Sequence, residues 1–251
     1  MAKILRENGL AIIVPVLNCL DYTKAMLPTI KTKRAYKLIL IDNGSTDNTW
    51  DFFKAQRRKN NALIKHFEQN IGVGSAWNWG IDQARMYFNS RYFLILNNDL
   101  LLHPEAIDVL IATLSPPNVV LSTATNVSGR VASPDNVLSL KIPTKKKLKE
   151  APDFSCFMLS KEAIEKVGHF DEQFFPAYFE DNDYHYRIKL AGLKAVKTNQ
   201  ALYFHYGSRT IKENEEVRNK SNLGYTVNRE YYKRKWGGKP GKEKFVKPNN
   251  Q

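Results

Sequence analysis

Lys37-Leu38-Ile39-Leu40-Ile41-Asp42-Asn43-Gly44-Ser45-Thr46-Asp47 runs from an apolar segment too short for a helix straight into a carboxylate, an amide and a glycine. Such a run, bounded by turn residues, reads as a buried strand of a parallel sheet. Thr46 or Asp47 then supplies the oxygen that caps a following helix through Trp50, Phe52 and Phe53. Upstream, Leu10 to Val14 is a second run of the same kind, closed by Pro15, with Asp21 placed to cap a helix toward Ile30. Downstream, Leu63 to Phe67 alternates as a third strand, and Gly74 to Phe88 has helical spacing with Trp77, Ile81 and Ala84 on one face. Tyr92 to Leu96 is a fourth strand, ending in Asn97, Asn98 and Asp99.

Strand and helix alternate through residues 1–115, which predicts a doubly wound, mostly parallel α/β structure. Ligands of such sheets sit beyond the carboxyl ends of the strands. Pro15 to Asn18, Asp42 to Asp47 and Asn97 to Asp99 all fall there and are expected to converge on one crevice. From Ser115 to Glu150 the composition shifts to Pro, Ser, Asn and Lys, which predicts long connections and a mobile loop. Phe154 to Leu159 then reads as a strand, Lys161 to Val167 as a short helix, Asp181 to Ala191 as a helix with an acidic first turn, and Ala195 to His205 as a returning strand pair. The tail after Thr210 reads as a helix followed by a basic, Gly/Pro-broken end.

A chain of 251 residues can bury most of its apolar surface without covalent staples. Cys19 and Cys156 match no metal or redox spacing, so they read as free thiols of a reducing compartment, the cytoplasm. No apolar run approaches the ~20 residues of a membrane span, and Met1 to Gly9 lacks the apolar core of a secretory signal. The formal charge of +13 is unevenly placed: ten Lys and Arg lie between Arg218 and Gln251 against Glu230 and Glu243, and five lysines lie between Lys141 and Lys149. Such runs attract polyanions, whether nucleic acid, an anionic membrane face at which the chain would dock peripherally, or an anionic glycan; a solvated basic surface is the plainer reading.

Four constellations carry candidate chemistry. Asp42 could accept hydrogen bonds from a nucleobase or ribose, although a turn at Gly44 and a cap at Asp47 would account for the segment by themselves. Asn97-Asn98-Asp99 offers oxygen ligands for Mg²⁺ or Mn²⁺, although a lone Asp more often shapes a turn. In Glu180-Asp181-Asn182-Asp183 a carboxylate beside aromatic neighbours could hold a raised pKa and take a proton from a hydroxyl; acids at a helix N-terminus are the alternative. His205 gains meaning only if it meets Asp99. Gly72-Val73-Gly74 is no dinucleotide fingerprint, because Trp77 occupies the third glycine position.

Taken in order, Ile13 to Asn18, Ile41 to Asp47, Asn70 to Gly74, Leu96 to Asp99, Gly168 to Glu172, Phe179 to Asp183 and His205 resemble the family-2 glycosyltransferases, in particular their rhamnosyltransferase-like branch, over roughly residues 10–210. The resemblance implies a GT-A fold: a doubly wound, mostly parallel sheet flanked by helices, a smaller acceptor-side sheet and a helical basic C-terminal tail. It implies a nucleotide-sugar-binding half at 1–115, an acceptor-binding and catalytic half at 116–210 and a basic extension at 211–251. The implied reaction is metal-dependent, inverting transfer from a nucleoside-diphosphate sugar of UDP or dTDP type to an acceptor hydroxyl in surface glycan synthesis. By the same resemblance, Asp42 reads the base, Pro15, Asn18, Asn43, Asn97 and Asn98 bind the nucleotide-sugar, and Gly72 lets backbone approach the donor. Asp99 and His205 hold Mn²⁺ or Mg²⁺, with Asn97 standing where an acid is often found. Asp181 is the implied catalytic base and Glu180 its alternative. The acceptor is a glycan or lipid-linked hydroxyl, or a polyanion such as teichoic acid or modified DNA bases; a nucleotide-sugar-binding protein without catalysis is the other reading. A nucleotidyltransferase would want a phosphate loop that Val14 to Asn18 does not offer.

Overall fold

The computed structural model describes residues 9–60, 62–207 and 215–249. The stretch read for a secretory signal lies, but for Gly9, outside them, as does the chain just after Thr210. Nine strands form one sheet: β1 Leu10–Val16, β2 Tyr36–Asn43, β3 Leu63–Phe67, β4 Tyr92–Leu96, β5 Leu100–Leu102, β6 Val119–Asn126, β7 Leu148–Lys149, β8 Cys156–Ser160 and β9 Lys194–His205. Their order is β3-β2-β1-β4-β8-β6-β9-β5, with β7 alongside β9. β1, β2, β3, β4, β6 and β9 share one direction, and β5, β7 and β8 oppose it. The smaller acceptor-side sheet expected from the resemblance corresponds to β9 with β5 and β7, and β6 joins it to the rest.

The helices are α1 Leu20–Met26, α2 Thr49–Asn60, α3 Val73–Phe88, α4 Ala106–Thr113, α5 Lys161–Val167, α6 Glu180–Leu190 and α7 Glu215–Trp236. Successive strand residues face opposite sides. Leu10, Ile12, Val14, Leu38, Leu40, Leu94 and Leu96 therefore pack in one core with Met26, Phe53 and Leu110. Ala11, Ile13, Ile39, Ile41, Phe93 and Ile95 pack in the other with Trp77, Ile81, Ile164 and Tyr184. Burial on both faces is why these strands read as continuous apolar runs. No helix among the described residues is long and apolar enough to cross a membrane.

Two elements differ from expectation. Ala195 to His205 is one long strand, not a pair, because Asn199 and Gln200 spend their side chains elsewhere than on a turn. Asn199 Nδ2 donates to the Lys145 carbonyl at 3.0 Å, and Gln200 Nε2 to the Pro143 carbonyl at 2.8 Å. These bonds, with the β7 pairing, fasten the lysine-rich segment that reads in sequence as a mobile loop.

The basic tail is no appendage either. Tyr232 and Trp236 of α7 are fully buried against Phe174 and Phe179. Lys235, only 6% exposed, sets its ammonium 2.6 Å from Asp171 Oδ2 and 2.6 Å from Asp183 Oδ1. Trp236 Nε1 and Arg187 Nε donate to the two oxygens of Asp183 at 2.8 Å each. Burial works to raise the Asp171 carboxyl, but Lys235, the Gln173 amide and the Tyr231 hydroxyl hold it below its usual range.

Replacing Lys235 by Met, similar in volume, removes the cation that Asp171 and Asp183 share, leaving Arg187 with Asp183 and, among the described residues, no ion pair at Asp171. We expect Lys235→Met to cost about 3 kcal/mol in urea unfolding. Because the folded Asp171 pKa is depressed, its stabilisation is present above the unfolded value of about 3.9 and lost as pH falls through the folded value. That acid-side loss should shrink in the variant.

Candidate functional site

The strand ends predicted to converge are tied to one another by hydrogen bonds. Asn18 and Cys19 leave β1 in left-handed conformation, with φ of 60° and 59°. The Asn18 side-chain oxygen accepts from the amides of Thr46 at 2.8 Å and Asp47 at 3.2 Å, and its own amide donates to Ser45 Oγ at 2.8 Å. Asp47 starts two helices: one oxygen accepts from the Thr49 amide of α2, the other from the Leu20 amide of α1. Asp21, read as the cap of that first helix, is exposed and pairs with Lys24 instead. Gly44 has φ 87°, and a Cβ there would lie 2.5 Å from the Asn70 nitrogen, so the turn needs glycine. Asn98 Nδ2 reaches the Asn18 carbonyl and Thr23 Oγ1, while Asn43 bonds both the Asn70 side chain and the Ile71 amide.

Beyond these ends lies a cleft of about 620 Å³. Of the sequence-predicted residues, Pro15, Asn43, Asn97, Asn98, Asp99, Glu180, Asp181 and His205 line it. Asp99 and His205, 106 positions apart, meet at 2.9 Å through Oδ1 and Nε2. The β5–β9 pairing brings them together by setting Leu100 opposite His205, and Ser128 Oγ bonds both the His205 amide and its carbonyl.

Asn18, Asp42 and Gly72 do not line this cleft. Asp42 is fully buried and its oxygens turn to the Ser45 amide at 2.9 Å and to His66 Nδ1 at 2.7 Å. Gly72, at φ 88°, opens α3 and accepts from Asn43 Nδ2. Sequence reasoning passed over His66, Asp153 and Lys197. His66 becomes the neighbour of Asp42 only through the β2–β3 register. Asp153 lines the cleft, with its oxygens taken by the Ser155 amide and the Tyr203 hydroxyl; its one sequence signal is a carboxylate after Pro152 just ahead of an apolar strand.

The acidic wall is electrostatically unusual. Burial, then the neighbouring Asp181, pushes Glu180 well above the ordinary carboxyl range, against opposing backbone amides. Burial also raises Asp181, and Asp153 adds to this, while the Asn182 amide at 2.7 Å resists it. Two buried polar atoms of cleft residues, Glu180 Oε2 and Trp77 Nε1, have no hydrogen-bond partner among the described residues. Orphaned groups of this kind call for a ligand or water to satisfy them. The turn feeding α6 is strained: Tyr178 and Phe179 are successive left-handed non-glycine residues, at φ 80° and 72°. Asn228 of α7 holds it by donating to the Ala177 carbonyl at 2.8 Å and the Tyr178 carbonyl at 3.2 Å. Gly224 admits this approach, since a Cβ there would lie 2.5 Å from Pro176 Cδ.

Among the described residues no group of three or more His, Cys, Asp or Glu could hold a metal ion. Asp99 and His205 offer one oxygen and one nitrogen to the same cavity. That donor set suits Mg²⁺ or Mn²⁺, which keep waters and phosphate oxygens on their other positions, and not a fully protein-caged ion.

The family described as Glycosyl transferase family 2 matches residues 11–168. A glycosyltransferase of Rickettsia conorii is 26% identical over 126 residues, which is 49% of this chain and 20% of that protein, so the chain spans about a fifth of that relative's length. The mannosyltransferase PcManGT from Pyrobaculum calidifontis, solved with GDP-Man and Mn²⁺, superposes with a TM-score of 0.62 at 17% identity, over 81% of this chain and 60% of that one. GalNAc-T7, solved with UDP, GalNAc and Mn²⁺, gives 0.62 at 15% identity, over 79% of this chain and 44% of that one. At these identities the structural likeness establishes the GT-A fold.

Asn228→Ala should destabilise the chain by about 2 kcal/mol, because two carbonyls lose their donor. Hydrogen exchange should quicken first at the backbone of Phe179 to Asp183. Asn228→Asp, of equal shape but without donors, should do no better; a silent Asn228→Ala would mean that the turn holds itself.

Proposed function

The chain belongs to glycosyl transferase family 2, and on that premise we propose that it moves one sugar from a nucleoside-diphosphate sugar to an acceptor hydroxyl with inversion at the anomeric carbon. The observation that carries this is a single cleft lined both by the Asp99–His205 pair and by Glu180 and Asp181. A UDP or dTDP sugar would enter along Pro15, Asn43 and Asn97, with its diphosphate at Asp99 and His205. Asp99 and His205 would hold Mn²⁺ or Mg²⁺, which supplies positive charge against the departing diphosphate. With Asn97 where an acid would add charge, Asp99 would be the carboxylate of this segment that holds the ion. Asp42 shapes the base end indirectly, by holding the turn at Ser45 and the ring of His66.

Asp181 takes the acceptor's proton. Both wall carboxyls are raised, but Glu180 more so, and like charges this close do not ionise together. The smaller rise, resisted by the Asn182 amide, fits Asp181 as the base, with Glu180 as its alternative. The acceptor oxygen bonds to the anomeric carbon as the carbon–oxygen bond to the diphosphate breaks, and the hydroxyl proton passes to Asp181. One displacement inverts the centre. The acceptor is a glycan hydroxyl, reached from the cytoplasmic side in surface glycan synthesis.

A panel of nucleotide-sugars with Mn²⁺ or Mg²⁺ should yield diphosphate release that a chelator abolishes. Nucleotide-sugar binding with no turnover under any of these conditions would leave a binding protein instead. Asp181→Asn should lower transfer by ~10²-fold or more while donor binding persists. Because burial raises Asp181, kcat/KM should climb with pH through a value above the ordinary aspartate range, and that limb should vanish in Asp181→Asn. If Glu180→Gln loses the limb and Asp181→Asn keeps it, the base is Glu180.

A further inference from the structure

A second cavity, of about 550 Å³, adjoins the cleft, and Asp153 and Lys197 line both. Its wall carries five cations, Arg130, Lys141, Lys147, Lys149 and Lys197, against the single carboxylate of Asp153. That carboxylate is already engaged by the Ser155 amide and the Tyr203 hydroxyl. Among the described residues, ion pairs form at other lysines and arginines and at none of these five.

The fold itself concentrates this charge. Lys149 and Lys197 are register partners across the antiparallel β7–β9 pair, which sets their side chains on one face as nearest neighbours. Like charges so placed repel. Lys147, just ahead of β7, lines the same cavity. The segment is not free to spread the charges apart: the Lys147 amide donates to Asn199 Oδ1 at 2.7 Å, and the side chains of Asn199 and Gln200 bond the carbonyls of Lys145 and Pro143. A merely solvated surface has no need of a fastened, self-repelling cluster beside the catalytic cleft. An anion seated among the lysines removes the repulsion.

We propose that this groove seats an anionic group of the acceptor, a phosphate or phosphodiester one or two units away from the reacting hydroxyl, so that the acceptor is a phosphate-bearing glycan chain. The assignment rests on the glycosyl-transfer reading of the adjoining cleft. Lysine ammonium groups suit it, as compact point charges that bind phosphate without demanding one orientation. A volume of about 550 Å³ has room for a short stretch of a single flexible sugar- or polyol-phosphate chain.

The test is calorimetric binding to the intact chain of a short polyol-phosphate oligomer and of a neutral glycan oligomer of equal length. The wild type should bind the anionic oligomer more tightly, and that preference should fade from low to physiological salt. Lys147→Gln with Lys149→Gln, both exposed, should weaken anionic binding by about tenfold or more, whereas Lys239→Gln with Lys242→Gln in the exposed tail should leave it unchanged. The proposal fails if the two oligomers bind alike. It fails equally if the tail variant, not the groove variant, loses binding, or if duplex DNA or anionic phosphatidylglycerol vesicles displace the oligomer at lower concentration than it binds. UDP and dTDP, each titrated with Mn²⁺, separate the two readings. Binding of neither, with oligomer preference retained, overturns the glycosyl-transfer reading and the acceptor assignment with it; binding of either without oligomer preference overturns the groove alone.

Discussion

One ammonium group, Lys235 Nζ, sits between Asp171 and Asp183, and these two carboxylates bracket the segment that carries Glu180 and Asp181. A buried charge must be paired, so the three groups hold one another in place and the two ends of the segment are fixed to a common point on α7. From that point the helix lays Gly224 against Pro176 and Asn228 beneath the Ala177 and Tyr178 carbonyls. Two left-handed aromatic residues in a row become tolerable only because this support is already there. The wall of the cleft is thus held in place by α7, although no described side chain of that helix lines it.

The strand ends that line the cleft are held by a different device. Asn18, Asn43, Asn98 and Asp47 spend their side chains binding one loop to the next, so that the strand ends form a rigid rim. Into that rim β5 and β9 bring Asp99 and His205. The cleft thus joins the Asp99–His205 pair with carboxyls raised by burial, Glu180 further by Asp181 and Asp181 further by Asp153. The lysine groove adjoins this cleft through Asp153 and Lys197, which line both.

Much of the first half of the fold was legible because both faces of its strands are buried, which leaves short uninterrupted apolar runs ending in polar turns. The later half was harder to read. Thr198-Asn199-Gln200 looks like a turn, since polar residues break an apolar pattern there, yet the side chains bond a distant carbonyl-rich segment and β9 continues through them. Asp21 and Asp47 are equally good caps by composition; only the approach of the second strand's loop to the first made Asp47 the partner of Leu20. Asp153 is visible as a residue but carries no pattern of its own, because its place in the cleft comes from Tyr203, fifty positions later.

What the sequence determined by itself is the alternation of strands and helices, the order of the segments and the set of polar residues delivered to the strand ends. Periodicity and turn chemistry are local properties, and neighbours along the chain suffice to express them. Which way those polar groups turned was decided by the tertiary structure: Asp42 toward His66, Asp99 toward His205, Lys235 out of the basic tail and into the interior. A side chain's partners and the water around it are set by residues far away in sequence. The same is true of the raised carboxyls of Glu180 and Asp181, whose titration depends on burial that no local spacing encodes.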